Sequence, residues 1–165
     1  MSALATGKLA PDFTLSTMDG KQFSLKEALA KGPVVAAFFK VSCPVCQFAL
    51  PYIERVYKAY GKHNVTIVGV SQNSQKDTDS FIQQFGLSFP VLLDDTSSYP
   101  VSNAYGLTNV PSIFWIAQDG EIEISSVGWL RKEIEEINRK AAESTHQSPQ
   151  LVIQPSESVP DFRAG

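Results

Sequence analysis

The sequence predicts an α/β fold in which helices flank a central mixed β-sheet. Two short apolar runs, Val34–Phe39 and Val65–Val70, have no helical or alternating period, which is typical of strands buried on both faces. Each run is followed by a segment with helical spacing, the order expected of parallel strands joined by crossover helices. A later pair of strands around Asp119-Gly120 adds antiparallel pairing, so the predicted sheet is mixed.

The first elements are predicted to be a β-hairpin over residues 13–24 and a short helix. Asp19-Gly20 lies between the two strand-like segments of the hairpin, and Asp-Gly is a favoured hairpin turn. Ser24 and Glu27 have the spacing of a capping box, which predicts a helix over residues 25–30.

Further helices and strands are predicted after the first apolar run. A long helix begins after Cys43, has Pro44 in its first turn and ends at Gly61. The later elements are a helix at 76–85, a strand at 89–93, a short helix at 100–105, a hairpin over 112–127 and an amphipathic helix over 130–143.

Length and composition predict one domain with a short appendage. The 165 residues are 43% hydrophobic, which is enough for a packed core. We assign residues 8–143 to that domain and residues 144–165, which are rich in Ser, Gln and Pro, to a carboxyl-terminal tail. The tail contains one apolar stretch, residues 151–153, through which we expect it to dock.

Charge and hydropathy exclude two classes of partner. The net charge of −3 gives nucleic acid no electrostatic attraction, and the longest apolar run, residues 34–39, is far too short to span a membrane. The first five residues lack the charged leader and long apolar stretch of a signal peptide. We therefore expect a monomeric, cytoplasmic protein as the sequence stands, or a periplasmic or other extracytoplasmic one if a leader has been removed.

The only two cysteines, Cys43 and Cys46, form a Cys-Pro-Val-Cys motif between a buried strand and a helix. The first turn of a helix has free N–H groups and a partial positive charge, which stabilise a thiolate. Cys43 lies at this turn, and Cys46 follows one turn later, close enough to attack a mixed disulfide on Cys43. Lys40, three residues before Cys43, adds a candidate cation beside the sulfur. We interpret the pair as a redox-active centre.

The cysteine pair has two other interpretations, a zinc site and a pair of structural cysteines. A zinc site requires about four ligands, and the sequence adds only His63 and His146, one at a helix end and one in the tail. We therefore expect no metal, and we interpret both histidines as surface residues. Two structural cysteines buried by chance are the other alternative, and the position between strand and helix argues against it.

The motif and several further features resemble the thioredoxin superfamily, in particular its TlpA/ResA-like branch, which is related to the AhpC/TSA redoxins. Pro51, five residues after the second cysteine, matches the proline that kinks the active-site helix of these proteins. Val110-Pro111 matches their cis-proline loop, Gly128 matches the glycine where a partner chain approaches, and residues 10–15 match their amino-terminal opening. The resemblance covers the whole predicted domain.

The resemblance implies a thioredoxin-like fold with an amino-terminal hairpin and an inserted β-α unit, and the activity of a thiol-disulfide oxidoreductase. It makes Cys43 the catalytic nucleophile and Cys46 the residue that resolves the mixed disulfide. It assigns substrate binding to Val110, Pro111 and Gly128. No cofactor is implied. The implied partners are protein thiols or disulfides and a further, unidentified redox partner.

Three positions depart from the pattern of these relatives. Ser42 replaces the tryptophan that usually precedes the first cysteine. Ala37 lies where thioredoxins have a buried aspartate, and Ala49 lies where the ResA-like branch has a glutamate. Because those acids accept the proton of the second cysteine in the relatives, we expect Cys46 to lose its proton slowly.

Two alternative functions remain within the same fold. A peroxiredoxin-like thiol peroxidase requires Pro-x-x-x-Thr-x-x-Cys, and neither cysteine has the proline or the threonine at the required distance. A non-catalytic peptide-binding module would use the Pro111 groove without redox turnover, and the intact cysteine pair argues against it. Disulfide exchange is therefore the function that the sequence favours.

Overall fold

Seven strands form the central sheet of the protein, whose computed structural model describes residues 3–165. In chain order they are β1 (Thr14–Thr17), β2 (Gln22–Ser24), β3 (Val34–Phe39), β4 (Thr66–Ser71), β5 (Val91–Leu93), β6 (Ser112–Ile116) and β7 (Ile122–Val127). Their order across the sheet is β2-β1-β5-β4-β3-β6-β7. The β3-β4 and β4-β5 pairs are parallel and the other pairs are antiparallel, which confirms the predicted mixed sheet.

Helices cover both faces of this sheet. The described part of the chain contains α1 (Leu25–Leu29), α2 (Pro44–Tyr60), α3 (Gln75–Phe85), α4 (Pro100–Ala104) and α5 (Arg131–Ser144). Two further short strands, β8 (Trp129–Leu130) and β9 (Phe162–Arg163), pair with each other outside the main sheet. Within residues 3–165, none of the helices has the length and apolar character that crossing a lipid bilayer requires.

Strand β3 lies in the middle of the sheet, and all six of its side chains are fully buried. On one face of the strand, Val35, Ala37 and Phe39 pack into the core that α2 and α5 cover. On the other face, Val34, Ala36 and Phe38 pack into the core that α1 and α4 cover. Because both faces of the strand are buried, its sequence is apolar throughout and has no period.

The predicted helix ends are present in the structure. The Ser24 hydroxyl accepts a hydrogen bond from the Glu27 amide at 3.2 Å at the start of α1. Gly86 ends α3 in the left-handed conformation, with φ of +65°, where glycine is favoured. Helix α2 begins after Cys43, contains Pro51 and ends at Gly61, within the bounds that the sequence predicts.

The segment after α5 packs against the domain along much of its length. Val152 and Ile153 are buried in the core beside α2 and α5, whereas Leu151 is 65% exposed, so two of the three expected apolar residues dock. Strand β9 was not predicted, because a two-residue strand has no recognisable sequence period.

An ion pair holds the middle of this segment against α2. The Arg55 guanidinium donates to both carboxylate oxygens of Glu157, at 2.6 and 2.9 Å, and to the Val152 carbonyl at 2.9 Å. The Tyr52 hydroxyl donates to the same carboxylate at 3.2 Å. The hydrogen bonds from Arg55 are the main reason that the pKa of Glu157 falls to about 2.

Glu54 joins α2 to the loop that leads into β5. The residue is 5% exposed, and its carboxylate accepts hydrogen bonds from the Ser88 amide at 2.8 Å, the Phe89 amide at 3.2 Å and the Ser88 hydroxyl. Ser88 is exposed, whereas Phe89 is buried, so the Phe89 amide depends on this one side chain.

We expect Glu54→Ala to lower the free energy of unfolding by about 1–3 kcal/mol, because it removes the acceptor of the buried Phe89 amide. Urea titration followed by circular dichroism measures the change. Lys58→Ala, an exposed substitution on the same helix, is the control and should change stability by about 0.5 kcal/mol or less. Equal effects of the two substitutions would contradict the proposed role of Glu54.

Candidate active site

The loop between β3 and α2 is held by side chains from two neighbouring elements. The Val41 amide donates to the Asn73 carboxamide oxygen at 2.9 Å, and the Gln47 carboxamide donates to the Val41 carbonyl at 2.9 Å. The Cys43 amide donates to the Lys40 carbonyl at 3.3 Å. Because both backbone polar groups of Val41 are paired, the loop delivers Cys43 to a defined position at the start of α2.

Cys43 is the N-cap residue of α2. Its backbone is extended, with φ of −84° and ψ of 114°, and its sulfur accepts a hydrogen bond from the Cys46 amide at 3.1 Å. The side chain is partly exposed. A backbone donor aimed at the sulfur, together with the positive end of the helix, stabilises negative charge there. Cys43 is therefore placed as an accessible nucleophile.

Cys46 lies one turn further along the helix and is fully buried in the core between α2 and the sheet. Both cysteines are present as free thiols. Burial raises the pKa of the Cys46 thiol well above its ordinary value, and the hydrogen bond with Cys43 raises it further. The two sulfurs of one motif thus differ in accessibility, and burial makes the Cys46 thiol hard to ionise.

The two positions where the family resemblance implied an acid are fully buried and apolar in this protein. Ala37 lies in β3 between Gly69 and Ile113 of the neighbouring strands, and Ala49 lies in α2 one turn after Cys46. In the part of the chain that the structure describes, no group of three or more His, Cys, Asp or Glu side chains could hold a metal ion.

The loop before β6 meets the cysteines. The Val110–Pro111 peptide bond is cis, and the Cys43 thiol donates to the Val110 carbonyl at a sulfur–oxygen distance of 3.5 Å. The Gly128 amide donates to the Pro111 carbonyl at 2.8 Å. The structure therefore brings Cys43, Cys46, Val110, Pro111 and Gly128 together at the amino end of α2.

Lys40 contributes to this site mainly through its backbone. Its carbonyl pairs with the Cys43 amide, and its side chain is exposed. The backbone of Lys40 also lowers the pKa of Cys46, in opposition to the larger effect of burial. No described contact joins the ammonium group to either sulfur.

Sequence reasoning missed the side chains that hold the active-site loop. Gln47 follows the second cysteine directly, and Asn73 lies in the loop after β4. Because β3 and β4 are parallel neighbours, the loops at their carboxyl ends meet at one edge of the sheet. A polar residue just after the second apolar run was the signal that could have identified Asn73.

An aromatic cluster forms the rim of the site on the Gly128 side. The rings of Phe48 and Trp129 meet edge to face, with centroids 4.8 Å apart, and Tyr52 packs against both. Phe48 is in the first turns of α2, and Trp129 directly follows Gly128. This cluster packs the amino-terminal half of α2 against β8.

Comparison with known proteins agrees with this geometry. Residues 6–125 match the model of the AhpC/TSA family. The thiol-disulfide oxidoreductase ResA of Geobacillus thermodenitrificans is 34% identical over 133 residues, which cover 80% of this chain and 75% of the relative. ResA of Halalkalibacterium halodurans is 31% identical over 137 residues, covering 82% of this chain and 76% of that protein.

Solved structures share the fold. The thioredoxin domain of a thiol-disulfide oxidoreductase from Bacteroides vulgatus superposes with a TM-score of 0.74 at 24% identity, over 84% of this chain and 98% of that one. A thiol:disulfide interchange protein of the thioredoxin family from Chlorobium tepidum has a TM-score of 0.69 at 25% identity, over 87% and 99% of the two chains. The predicted thioredoxin-like fold is confirmed.

We expect brief treatment of the reduced protein with iodoacetamide near pH 7 to label Cys43 at least about tenfold faster than Cys46, because Cys46 is buried and protonated. Peptide mapping by mass spectrometry gives the ratio. The same reaction in denaturant is the control and should label both cysteines at similar rates. Faster labelling of Cys46 in the folded protein would reverse the assignment.

Proposed function

Because this chain belongs to the AhpC/TSA family and is a thiol-disulfide oxidoreductase of the ResA-like type, we propose that Cys43 exchanges disulfides with protein substrates. Cys46 then resolves the mixed disulfide. One observation carries the assignment of roles. Cys43 is the partly exposed N-cap of α2, and Cys46 is fully buried one turn later.

In the first step the Cys43 thiolate attacks one sulfur of a substrate disulfide. The substrate S–S bond breaks, a Cys43–substrate disulfide forms, and the released substrate thiolate takes up a proton. The Cys46 amide, 3.1 Å from the Cys43 sulfur, stabilises the attacking thiolate.

In the second step Cys46 loses its proton and attacks the Cys43 sulfur. The mixed disulfide breaks, the Cys43–Cys46 disulfide forms, and the second substrate thiol leaves. The substrate gains two electrons and the cysteine pair loses two, so a separate dithiol partner must reduce the pair again. The same steps in reverse transfer a disulfide to a substrate.

The loop containing Val110 and Pro111 is the proposed docking site for the substrate backbone. The Val110 carbonyl lies 3.5 Å from the Cys43 sulfur, so an extended peptide bound along this loop presents its own sulfur to Cys43. Gly128 lies beside Pro111 and lacks a side chain that would keep such a peptide away. This arrangement favours protein substrates.

We expect Cys46→Ser to accumulate mixed disulfides between Cys43 and its substrates, because the resolving thiol is absent. Affinity capture from cells under non-reducing conditions, followed by elution with dithiothreitol, identifies the trapped proteins. Cys43→Ser is the matched control and should trap none of them. If the two variants release the same proteins, the binding is not covalent and the peptide-binding module gains support.

We expect resolution of a Cys43 mixed disulfide to accelerate about tenfold for each unit of pH below the pKa of Cys46, because only the thiolate attacks. The pKa of Cys46 is raised, so the thiolate fraction is small near neutral pH and grows as pH increases. Stopped-flow release of a chromogenic thiol from Cys43 measures the rate.

Ala49→Glu tests whether a missing base causes this dependence. The new carboxylate lies one turn after Cys46, and we expect it to accelerate resolution near neutral pH and flatten the pH profile. Ala49→Gln adds similar volume without a base and should keep the wild-type slope. A fast, pH-independent step in the wild type would mean that another group deprotonates Cys46.

A further inference from the structure

The segment 161–165 lies along the edge of the candidate active site, and two of its residues form the short strand β9. Within it, Phe162 and Arg163 pair with Leu130 and Trp129 of β8 in antiparallel register, and the Arg131 amide donates to the Asp161 carbonyl at 3.0 Å. This is the geometry of β-augmentation, in which an extended peptide adds to an exposed strand.

Beyond β9 the segment reaches the groove that the proposed function assigns to substrate. Gly128 has φ of +77°, and a Cβ atom placed there would lie 2.5 Å from the Arg163 carbonyl oxygen and 2.9 Å from the Gly165 amide nitrogen. Because Gly128 has no side chain, the backbone of residues 163–165 can pack directly against it.

Gly165 contacts the carbonyl that faces Cys43. A Cβ atom on Gly165 would lie 2.5 Å from the Val110 oxygen, which is the oxygen that accepts from the Cys43 thiol. The Asn109 carboxamide donates to the Gly165 carbonyl at 3.3 Å. The segment thus touches both sides of the groove, Gly128 and Val110.

Side-chain contacts place the segment in this register. The Arg163 guanidinium lies 5.0 Å from the centre of the Phe48 ring, in the first turns of the helix that bears the cysteines. Just before the segment, the Trp129 indole donates to the Pro160 carbonyl at 2.7 Å. Because Trp129 is fully buried, its hydrogen bond holds the Pro160 carbonyl in place just before the segment.

The segment itself is held weakly in comparison with the chain before it. Asp161, Ala164 and Gly165 are exposed, and Phe162 is 58% exposed. The preceding residues are fixed by the burial of Val152 and Ile153 and by the Arg55–Glu157 pair. Local opening of a two-residue strand at the surface requires little free energy, so residues 161–165 can leave while the anchors stay.

We propose that residues 161–165 are an internal occupant of the substrate groove, and that a substrate peptide docks on β8 and Val110 only after this segment has left. The proposal rests on the proposed function for the identity of the groove. It makes the segment a competitor of extended protein substrates. Small disulfides, which need no strand pairing, reach Cys43 without displacing it.

The test compares two oxidants of the reduced, full-length protein. One is a disulfide-bonded peptide long enough to pair with β8, and the other is hydroxyethyl disulfide, which is small and neutral. Arg163→Pro removes the amide that pairs with β8 and the contact with Phe48. If the segment fills the groove nine-tenths of the time, this variant reacts about tenfold faster with the peptide and no faster with hydroxyethyl disulfide.

Two further variants separate the loss of the Arg163 side chain from the loss of backbone pairing with β8. Arg163→Ala removes the guanidinium alone, keeps the backbone pairing, and should accelerate the peptide reaction about two- to fivefold. It also tests the proposal if Arg163→Pro does not fold. Lys132→Ala alters an exposed side chain just after β8, outside the segment, and should leave the peptide rate within about twofold of wild type.

The outcomes distinguish this inference from the proposed function. An unchanged peptide rate in both Arg163 variants would show that the segment merely covers the edge of β8. Equal acceleration with both oxidants would show that Arg163 acts on Cys43 directly. Either result overturns the inference. If the wild-type protein reacts with neither disulfide, the proposed function itself fails. It also fails if the Cys43→Ser variant reacts as fast as the wild type.

Discussion

The hydrogen bond from the Cys46 amide to the Cys43 sulfur is the constraint on which the rest of the site depends. It makes Cys43 the N-cap of α2, so the helix starts at Pro44 and Cys46 faces the sheet one turn later. The side chains of Gln47 and Asn73 pair with the backbone of the preceding loop and deliver Cys43 to that position. One helical turn thus separates an accessible sulfur from a buried one.

The burial that distinguishes the two thiols also makes the second one hard to ionise. Cys46 packs among apolar side chains, and Ala37 and Ala49, where the family resemblance implied a carboxylate, extend that apolar environment. An unpaired carboxylate in such a place is costly to bury, so its absence favours the packing of the core. Alanine at these two positions also offers Cys46 no carboxylate to accept its proton. The packing of the core is therefore set against the deprotonation of Cys46 that the proposed resolving step requires.

The chain after α5 follows α2 from its end back to its beginning. The Gln150 amide donates to the hydroxyl of Tyr60 in the last turn, the Arg55–Glu157 pair holds the middle, and Arg163 reaches Phe48 beside the cysteines. Buried side chains and an ion pair hold residues 150–157, whereas the two residues of β9 hold the last five residues. The proposed release of residues 161–165 from the groove depends on this difference between the two parts of the segment.

The mixed sheet, the helix ends and the cysteine pair could be predicted from the sequence, because they depend on local periods, caps and spacing. The fully apolar β3, the Ser24 cap and the Cys-Pro-Val-Cys motif are each readable within one or two turns of chain. Two contacts became visible only in three dimensions: Asn73 holds the loop before Cys43, and residues 161–165 lie against Gly128 and Val110. Both contacts join residues far apart in the chain, and backbone pairing of the kind made by β9 leaves almost no trace in side-chain sequence.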